Sequence, residues 1–339
     1  LSLRMSANTK SLNSFPRIGI TVGDAAGIGS EIVLKTLSDK RARRAYKPIV
    51  ICDEAFLRSQ AIVLDIDADT LDSVEIIDLK NLPHEVRPGD ESAETGRASG
   101  QYIEKAVDLW RTGKIDAIAT APISKKALNA GGYDFPGHTE FLAALTGTRE
   151  FAMSFFAEQL RVVLLSTHLP LTEAIGLVRR DNLINLIDFS NKQLAGLLKK
   201  EVRIAVAGLN PHASEGGMFG SQEADEIAPA IEHCRTKLGI DVSGPYSPDT
   251  IFLRGFRGEF DAVIACYHDQ ATIAVKALSF GSAVNVTLGL PLIRTSVDHG
   301  TAVDIAGKNL ADPASMIAAT LLAAELAVVR QSAGNHGRS

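Results

Sequence analysis

Short apolar runs alternate with longer stretches of helical periodicity along this chain, and that alternation restricts the fold to βαβ units on a mostly parallel sheet. Arg17–Val22 reads as a strand, followed by a Gly-rich turn and the helical pattern Glu31–Leu37. Ile49–Cys52 and Val74–Leu79 read as further strands, and Pro83–Ala93 as a polar loop. From Ala98 to Arg111, Ile103, Val107 and Trp110 fall on one helical face, with Gly113 as the stop. No internal repeat or low-complexity tract interrupts the pattern.

The later strands matter for how they end. Asp116–Thr120 runs into Ala121-Pro122, Arg161–Ser166 into Thr167-His168, Arg203–Ala207 into Asn210-Pro211-His212, and Asp261–Cys266 into Tyr267-His268. Three strands therefore deliver a histidine just past their carboxyl ends, where open α/β sheets bind ligands. Taken singly, each histidine reads more readily as structural, capping a loop or bonding a carbonyl, than as functional. Together, three imidazoles with an open position match a reactive metal site and not a closed thiolate one. The spacing is long-range, and no H-E-x-x-H supports it.

Composition excludes several classes. With 339 residues the chain can bury two moderate cores. A net charge of −5 and no basic stripe argue against nucleic acid. Three unpaired cysteines fit a reducing compartment. Residues 1–16 lack a secretory apolar core and read as a disordered lead-in. Met316–Val329 is too short to span a bilayer and carries Glu325, so it reads as a buried helix. The expectation is a cytoplasmic protein without a membrane role.

The turn Gly23-Asp24-Ala25-Ala26-Gly27-Ile28-Gly29-Ser30 follows a strand and opens a helix, so its amides are candidates to face an anion. It is not G-x-G-x-x-G, no Walker lysine follows, and a tight turn capped by Ser30 is an equal reading. His138 and Thr139 open another helical pattern; Thr139 reads equally as its cap. Lys276, Asn285 and Arg294 flank the strand-like run Val284–Ile293. Asn is disfavoured inside such a run, and the two cations suit an anionic ligand or a solvated surface. Ser296, Asp298 and His299 are adjacent in sequence, which is not triad geometry, and no G-x-S-x-G elbow is present.

The blocks GDAAGIGSEI, ATAPISK, PGHTEF, STHLPL, GLNPHASEGG, YHDQ and VNVTLGLPLIRTSVDHGTA occur in this order from about Ile18 to the C-terminal helix. In these blocks the chain resembles the 4-hydroxythreonine-4-phosphate dehydrogenase family. The resemblance implies a two-domain α/β/α subunit of isocitrate/isopropylmalate dehydrogenase-like architecture, with mostly parallel sheets and an active-site cleft between domains. The expected division is residues 17–135 plus 280–330 for the first domain, 136–279 for the second, which carries the metal ligands, and a tail at 331–339. By position, the metal ligands implied are His168, His212 and His268. The substrate contacts implied are His138, Thr139, Lys276, Asn285 and Arg294.

The resemblance also implies a homodimer whose metal ligands come from both subunits, NAD (or NADP) bound without the usual fingerprint, and a divalent zinc, cobalt, magnesium or manganese ion. Metal-dependent oxidation of a phosphorylated hydroxy acid follows, with decarboxylation of the β-keto acid. Lys276, Asp249, Asp269 and Asp24 are candidates for the base; Gly23, Asp24, Gly27 and Gly29 are candidates for cofactor contacts. Relatives that act on D-threonate or D-erythronate 4-phosphate, or on carboxylated cis-dihydrodiols of the terephthalate type, remain alternatives. A two-lobed anion-binding protein is the alternative outside enzymes. Departures bear on substrate identity: GDAAGIGSE where GDPAGIGPE is common, Ala271 after YHDQ where glycine is common, and FGSAV in place of FGRGVN.

Overall fold

The computed structural model describes residues 15–279 and 281–334. Almost all of the expected lead-in, and the tail from residue 335, lie outside the described residues. The described strands are β1 (Arg17–Thr21), β2 (Lys47–Cys52), β3 (Glu75–Asp78), β4 (Ala117–Thr120), β5 (Ala152–Ala157), β6 (Leu160–Leu164), β7 (Ile204–Ala207), β8 (Val242–Tyr246), β9 (Ala262–Ala265), β10 (Val284–Leu288) and β11 (Ile293–Ser296). Helices connect most of them, as expected for an α/β chain.

The chain divides into two compact units, and they are described separately. Among the described residues, the first comprises 15–151 and 290–334. Its strands run in the order β3-β2-β1-β4-β11, every pair parallel. Ile18, Ile20, Ile49, Ile51 and Ile118 are fully or almost fully buried, as expected of strands covered on both faces. The helix Ala93–Arg111 starts with a capping box, in which Ser92 and Thr95 satisfy each other's amides, and it buries Ile103 and Val107.

The last helix, Ala314–Gly334, is longer than the apolar segment read from sequence. By length and composition it would cross a membrane, yet more than half of its apolar window is buried. Met316, Ala319, Ala323 and Ala327 are almost completely covered, and Thr295 of β11 donates to the Ala319 carbonyl. It is the core helix of this unit.

The second unit spans residues 152–289, in the order β10-β5-β6-β9-β7-β8. Strands β6, β9, β7 and β8 are parallel, while β10-β5 and β5-β6 are antiparallel. Its core gathers Phe155, Leu160, Val162, Ile251, Phe252, Val263 and Val275.

The boundaries differ from those read in the sequence. Residues 136–151, assigned there to the second domain, belong to the first unit. The reason is aromatic packing: Phe135 stacks on Phe141 at 4.4 Å, and Tyr133 tilts against the same ring at 5.0 Å. At the other end, the run Val284–Ile293 is not one strand. Gly289, at φ 95°, and Pro291 break it into β10 and β11, which fall in different units.

Candidate active site

In the second unit, β9 pairs in parallel with β6 on one side and β7 on the other. Their carboxyl ends therefore lie on one edge, which places the loops bearing His168, His212 and His268 side by side. The His168 and His268 rings approach to 5.6 Å between centroids, tilted by 42°. Two imidazoles sharing an ion at Zn–N distances of about 2.1 Å would have centroids on the order of 5–6 Å apart, so this pair fits a divalent metal. His268 Nδ1 lies 3.1 Å from Asp269 Oδ1, so Nε2 is the nitrogen not engaged by that carboxylate. The His212 ring packs instead at 6.3 Å from Phe219. Among the described residues, no group of three or more His, Cys, Asp or Glu side chains is close enough to hold an ion.

The loops are stitched to one another by side chains that sequence reasoning missed. Gln270 accepts from the Cys266 amide at 2.7 Å and donates to the Gly208 carbonyl at 2.8 Å, joining the His268 and His212 loops. Ser166 donates to the Cys266 carbonyl at 3.1 Å, tying in the His168 loop. Glu223, buried, accepts from the amides of Leu209 and Asn210. Gln270 left a faint signal as a polar residue opening an apolar helix. Glu223 left none, because its acidic stretch reads as a solvated face.

His212 begins a run of left-handed backbone through Gly216, with φ between 42° and 71°. Four of these residues carry a Cβ, and the left-handed region costs each roughly 1–2 kcal/mol. The loop is a held conformation, not a relaxed one.

In the first unit, Arg294 of β11 is buried, and its Nε and one terminal nitrogen donate to Thr120 Oγ1 at 3.3 and 3.0 Å. Burial pushes its pKa down to about 10, against the opposing pull of Glu140, so it stays charged at neutral pH. His138 is the first residue of the helix His138–Thr146, and Gly137 is its cap, so Thr139 is not. Burial, reinforced by the Arg294 charge, holds the His138 imidazole well below its ordinary pKa. Its Nε2 is shielded from solvent and has no hydrogen-bond partner. A neutral imidazole with an unused nitrogen beside a fixed guanidinium can receive an oxygen-rich anion.

The remaining expected contacts are divided. Lys276 is exposed, eight residues beyond His268 on the helix His268–Leu278, about 12 Å along its axis. Asn285 is half-buried on β10. Both lie in the unit of the three histidines; His138, Thr139 and Arg294 lie in the other. Asp249 is exposed and accepts from Ser247.

Four amides of the Gly-rich turn are spent inside the chain. Asp24 N donates to the Pro122 carbonyl, Gly27 N to the Asp24 carbonyl and Ile28 N to the Thr301 carbonyl, while Ala26 N is taken by Asp24 Oδ1. Its glycines allow close packing: a Cβ at Gly23 would meet Pro122 O at 2.1 Å, one at Gly29 would meet Val22 O at 2.0 Å, and one at Gly27 would meet Thr301. The cap of the following helix is Ile28, not Ser30. Burial raises the Asp24 pKa, opposed by the Ala26 amide and more weakly by Thr95 and Ser124. These four amides offer no cradle for a cofactor phosphate.

A mostly parallel α/β chain carrying such side chains at its strand ends is, by class, an α/β dehydrogenase acting on a CH–OH group. It belongs to the family described as pyridoxal phosphate biosynthetic protein PdxA, matched over residues 44–323. It is 45% identical over 328 residues to a D-threonate 4-phosphate dehydrogenase of Cupriavidus necator, covering 93% of this chain and 98% of that one. It is 44% identical over 329 residues to a 4-hydroxythreonine-4-phosphate dehydrogenase of Desulforapulum autotrophicum, covering 93% and 96%. The crystal structure of a 4-hydroxythreonine-4-phosphate dehydrogenase from Burkholderia phymatum superposes with a TM-score of 0.79 at 44% identity, covering 92% of this chain and 98% of that one.

Proposed function

We propose that this chain oxidises a four-carbon 3-hydroxy acid carrying a C4 phosphate, with a nicotinamide as oxidant and a divalent metal as Lewis acid. The substrates named for its relatives, 4-hydroxythreonine 4-phosphate and D-threonate 4-phosphate, share that skeleton and differ in the C2 substituent. The observation that carries the reading is the buried Arg294 guanidinium beside a His138 kept neutral by burial. Such a pair recognises a phosphate or carboxylate without adding a second charge that would need its own counter-ion.

Each residue then has a role. Arg294, braced on Thr120, holds an anionic end of the substrate, and His138 Nε2 meets one of its oxygens. Thr139, Lys276 and Asn285 complete the substrate contacts in this proposal. His168, His212 and His268 would hold the ion, which when bound would supply Lewis acidity at the substrate alcohol, and a bound nicotinamide would supply the hydride acceptor. Oxidation of a hydroxyl β to a carboxylate gives a β-keto acid, which then loses carbon dioxide. Asp269, engaged by His268 Nδ1, orients a ligand and is the weaker candidate for the base; Lys276 and Asp249 stay in contention. The amides of Asp24, Ala26, Gly27 and Ile28 are not assigned to the nicotinamide, because each is used internally.

The active form is proposed to be a homodimer whose subunits share the metal. Exposed apolar side chains near the histidines in sequence, Leu169 beside His168 and Met218 with Phe219 beyond His212, support a covered face there. The test is a panel of 4-hydroxythreonine 4-phosphate, D-threonate 4-phosphate, D-erythronate 4-phosphate and a carboxylated cis-dihydrodiol, each with NAD and added divalent ions, followed by NADH absorbance. Turnover of a phosphorylated acid supports the reading. Turnover confined to the unphosphorylated diol overturns it.

A further inference from the structure

The turn that carries His212 is left-handed from His212 through Gly216, and such backbone persists only when its surroundings over-determine it. The strongest anchor lies just upstream. Glu223, 4% exposed, uses Oε1 to accept the Leu209 amide at 2.8 Å and the Asn210 amide at 2.7 Å. Its Oε2 accepts from Asn210 Nδ2 at 2.8 Å, and the same nitrogen donates to Gln222 Oε1. A buried carboxylate is costly unless its oxygens are well served, and here all three donors come from the two residues immediately before Pro211-His212. Were Glu223 only filling space, an apolar side chain would serve as well. Its acceptors are committed to the loop that precedes the histidine.

Two further contacts make the placement matter. Gln270 fixes the Gly208 carbonyl to the start of the His268 helix. Ser214, buried within the turn, donates to the Gly220 carbonyl, closing the loop on its far side. The His212 backbone is thus referenced to His268 at Gly208 and fixed in orientation by Glu223 at Leu209 and Asn210.

We propose that Glu223 is a positioning residue whose clamp on Leu209 and Asn210 holds the left-handed turn that presents His212 to a divalent ion. This rests on the reading of His212 as a metal ligand. It predicts that loosening the clamp weakens metal binding through geometry, with no ligand removed.

The experiment titrates Co2+ into the purified full chain in its native assembly, by calorimetry and visible absorption, for wild type, Glu223→Gln and His212→Ala. The amide nitrogen introduced by Glu223→Gln cannot accept from Asn210 Nδ2, so the clamp loses one bond and gains a donor facing a donor. Glu223→Gln is expected to bind Co2+ about 10- to 100-fold more weakly, with faster hydrogen exchange at Leu209 and Asn210. If that variant does not fold, Asn210→Ala takes its place; it leaves both backbone bonds to Oε1 intact and is expected to weaken binding several-fold. Wild-type affinity in the clamp variant, with weakened binding in His212→Ala, overturns the proposal and leaves the metal reading standing. Unchanged binding in His212→Ala overturns the metal reading, and the proposal with it.

Discussion

Asp261 accepts from Arg203 twice through Oδ2, from the backbone amide at 2.9 Å and from Nε at 3.1 Å, and so pins the amino ends of β7 and β9 together. The opposite ends of these two strands carry His212 and His268. Burial alone would raise the Asp261 pKa, but hydrogen bonds from Arg203 and Lys200 outweigh it and hold the value at about 2. A carboxylate depressed in the native state stabilises it above the unfolded pKa of 3.8, and that contribution is lost as pH falls toward about 2.

Asp261→Asn should therefore destabilise the chain at neutral pH by roughly 1–2 kcal/mol, a value reduced because Arg203 and Lys200 are half exposed and screened. Thermal melts from pH 7 downward check this. The gap between wild type and variant should be a few degrees at pH 7 and narrow below pH 4. A constant gap would mean that packing, and not the ion pairs, carries the effect.

His138 gives a pH signature of the same sign in a higher pH window. Its native pKa lies well below 6.5, so the unfolded chain takes up a proton that the folded chain refuses. Stability from this residue is present above pH 6.5 and is lost as pH falls below it. The wild-type melting temperature should drop more steeply between pH 7 and pH 5 than that of His138→Gln. Equal slopes would show that the imidazole ionises freely in the folded chain.

Why these features escaped the sequence, while others did not, follows from where each signal resides. Strands β1, β4, β6, β7 and β9 were legible as apolar runs, because strands buried on both faces need little polar surface. Strand β8 was not, since Gly244-Pro245 interrupts it; proline is tolerated there because β8 ends the strand order. The β5–β6 hairpin was missed because its turn uses Glu158 in the left-handed region, at φ 54°, where Asn or Gly is the usual signal. Among site residues, the histidines were visible because strand ends place them. The clamp by Glu223 was not, because it depends on tertiary hydrogen bonds across the loop.

Arg294 offers a test of substrate geometry. Its Nε and one terminal nitrogen converge on Thr120 Oγ1, which fixes the plane of the guanidinium. Lysine keeps a charge but has neither the planar fork nor the second anchoring nitrogen. Arg294→Lys should raise KM for the preferred phosphorylated acid by about 10- to 100-fold, the range for losing a charged hydrogen bond. The far-ultraviolet circular dichroism should stay unchanged. Wild-type KM in this variant would leave Arg294 a structural role on β11 only.

The last prediction concerns the paired imidazoles. His168 and His268 stand 5.6 Å apart between ring centroids, and the Asp269 carboxylate faces His268 Nδ1 at 3.1 Å. If Nε2 is the ligating nitrogen, Asp269 fixes that choice and the orientation of the ring. Chelation should abolish turnover, and re-addition of zinc, cobalt or manganese should restore it in the wild type. His168→Ala and His268→Ala each remove a ligand, so excess ion should not restore them. Asp269→Asn keeps every ligand and should recover fully, but only at metal concentrations about 10- to 100-fold higher. That graded order separates ligand loss from general damage, because a merely unstable variant would show reduced activity at every metal concentration. Recovery of His168→Ala at the wild-type ion concentration would remove His168 from the metal site.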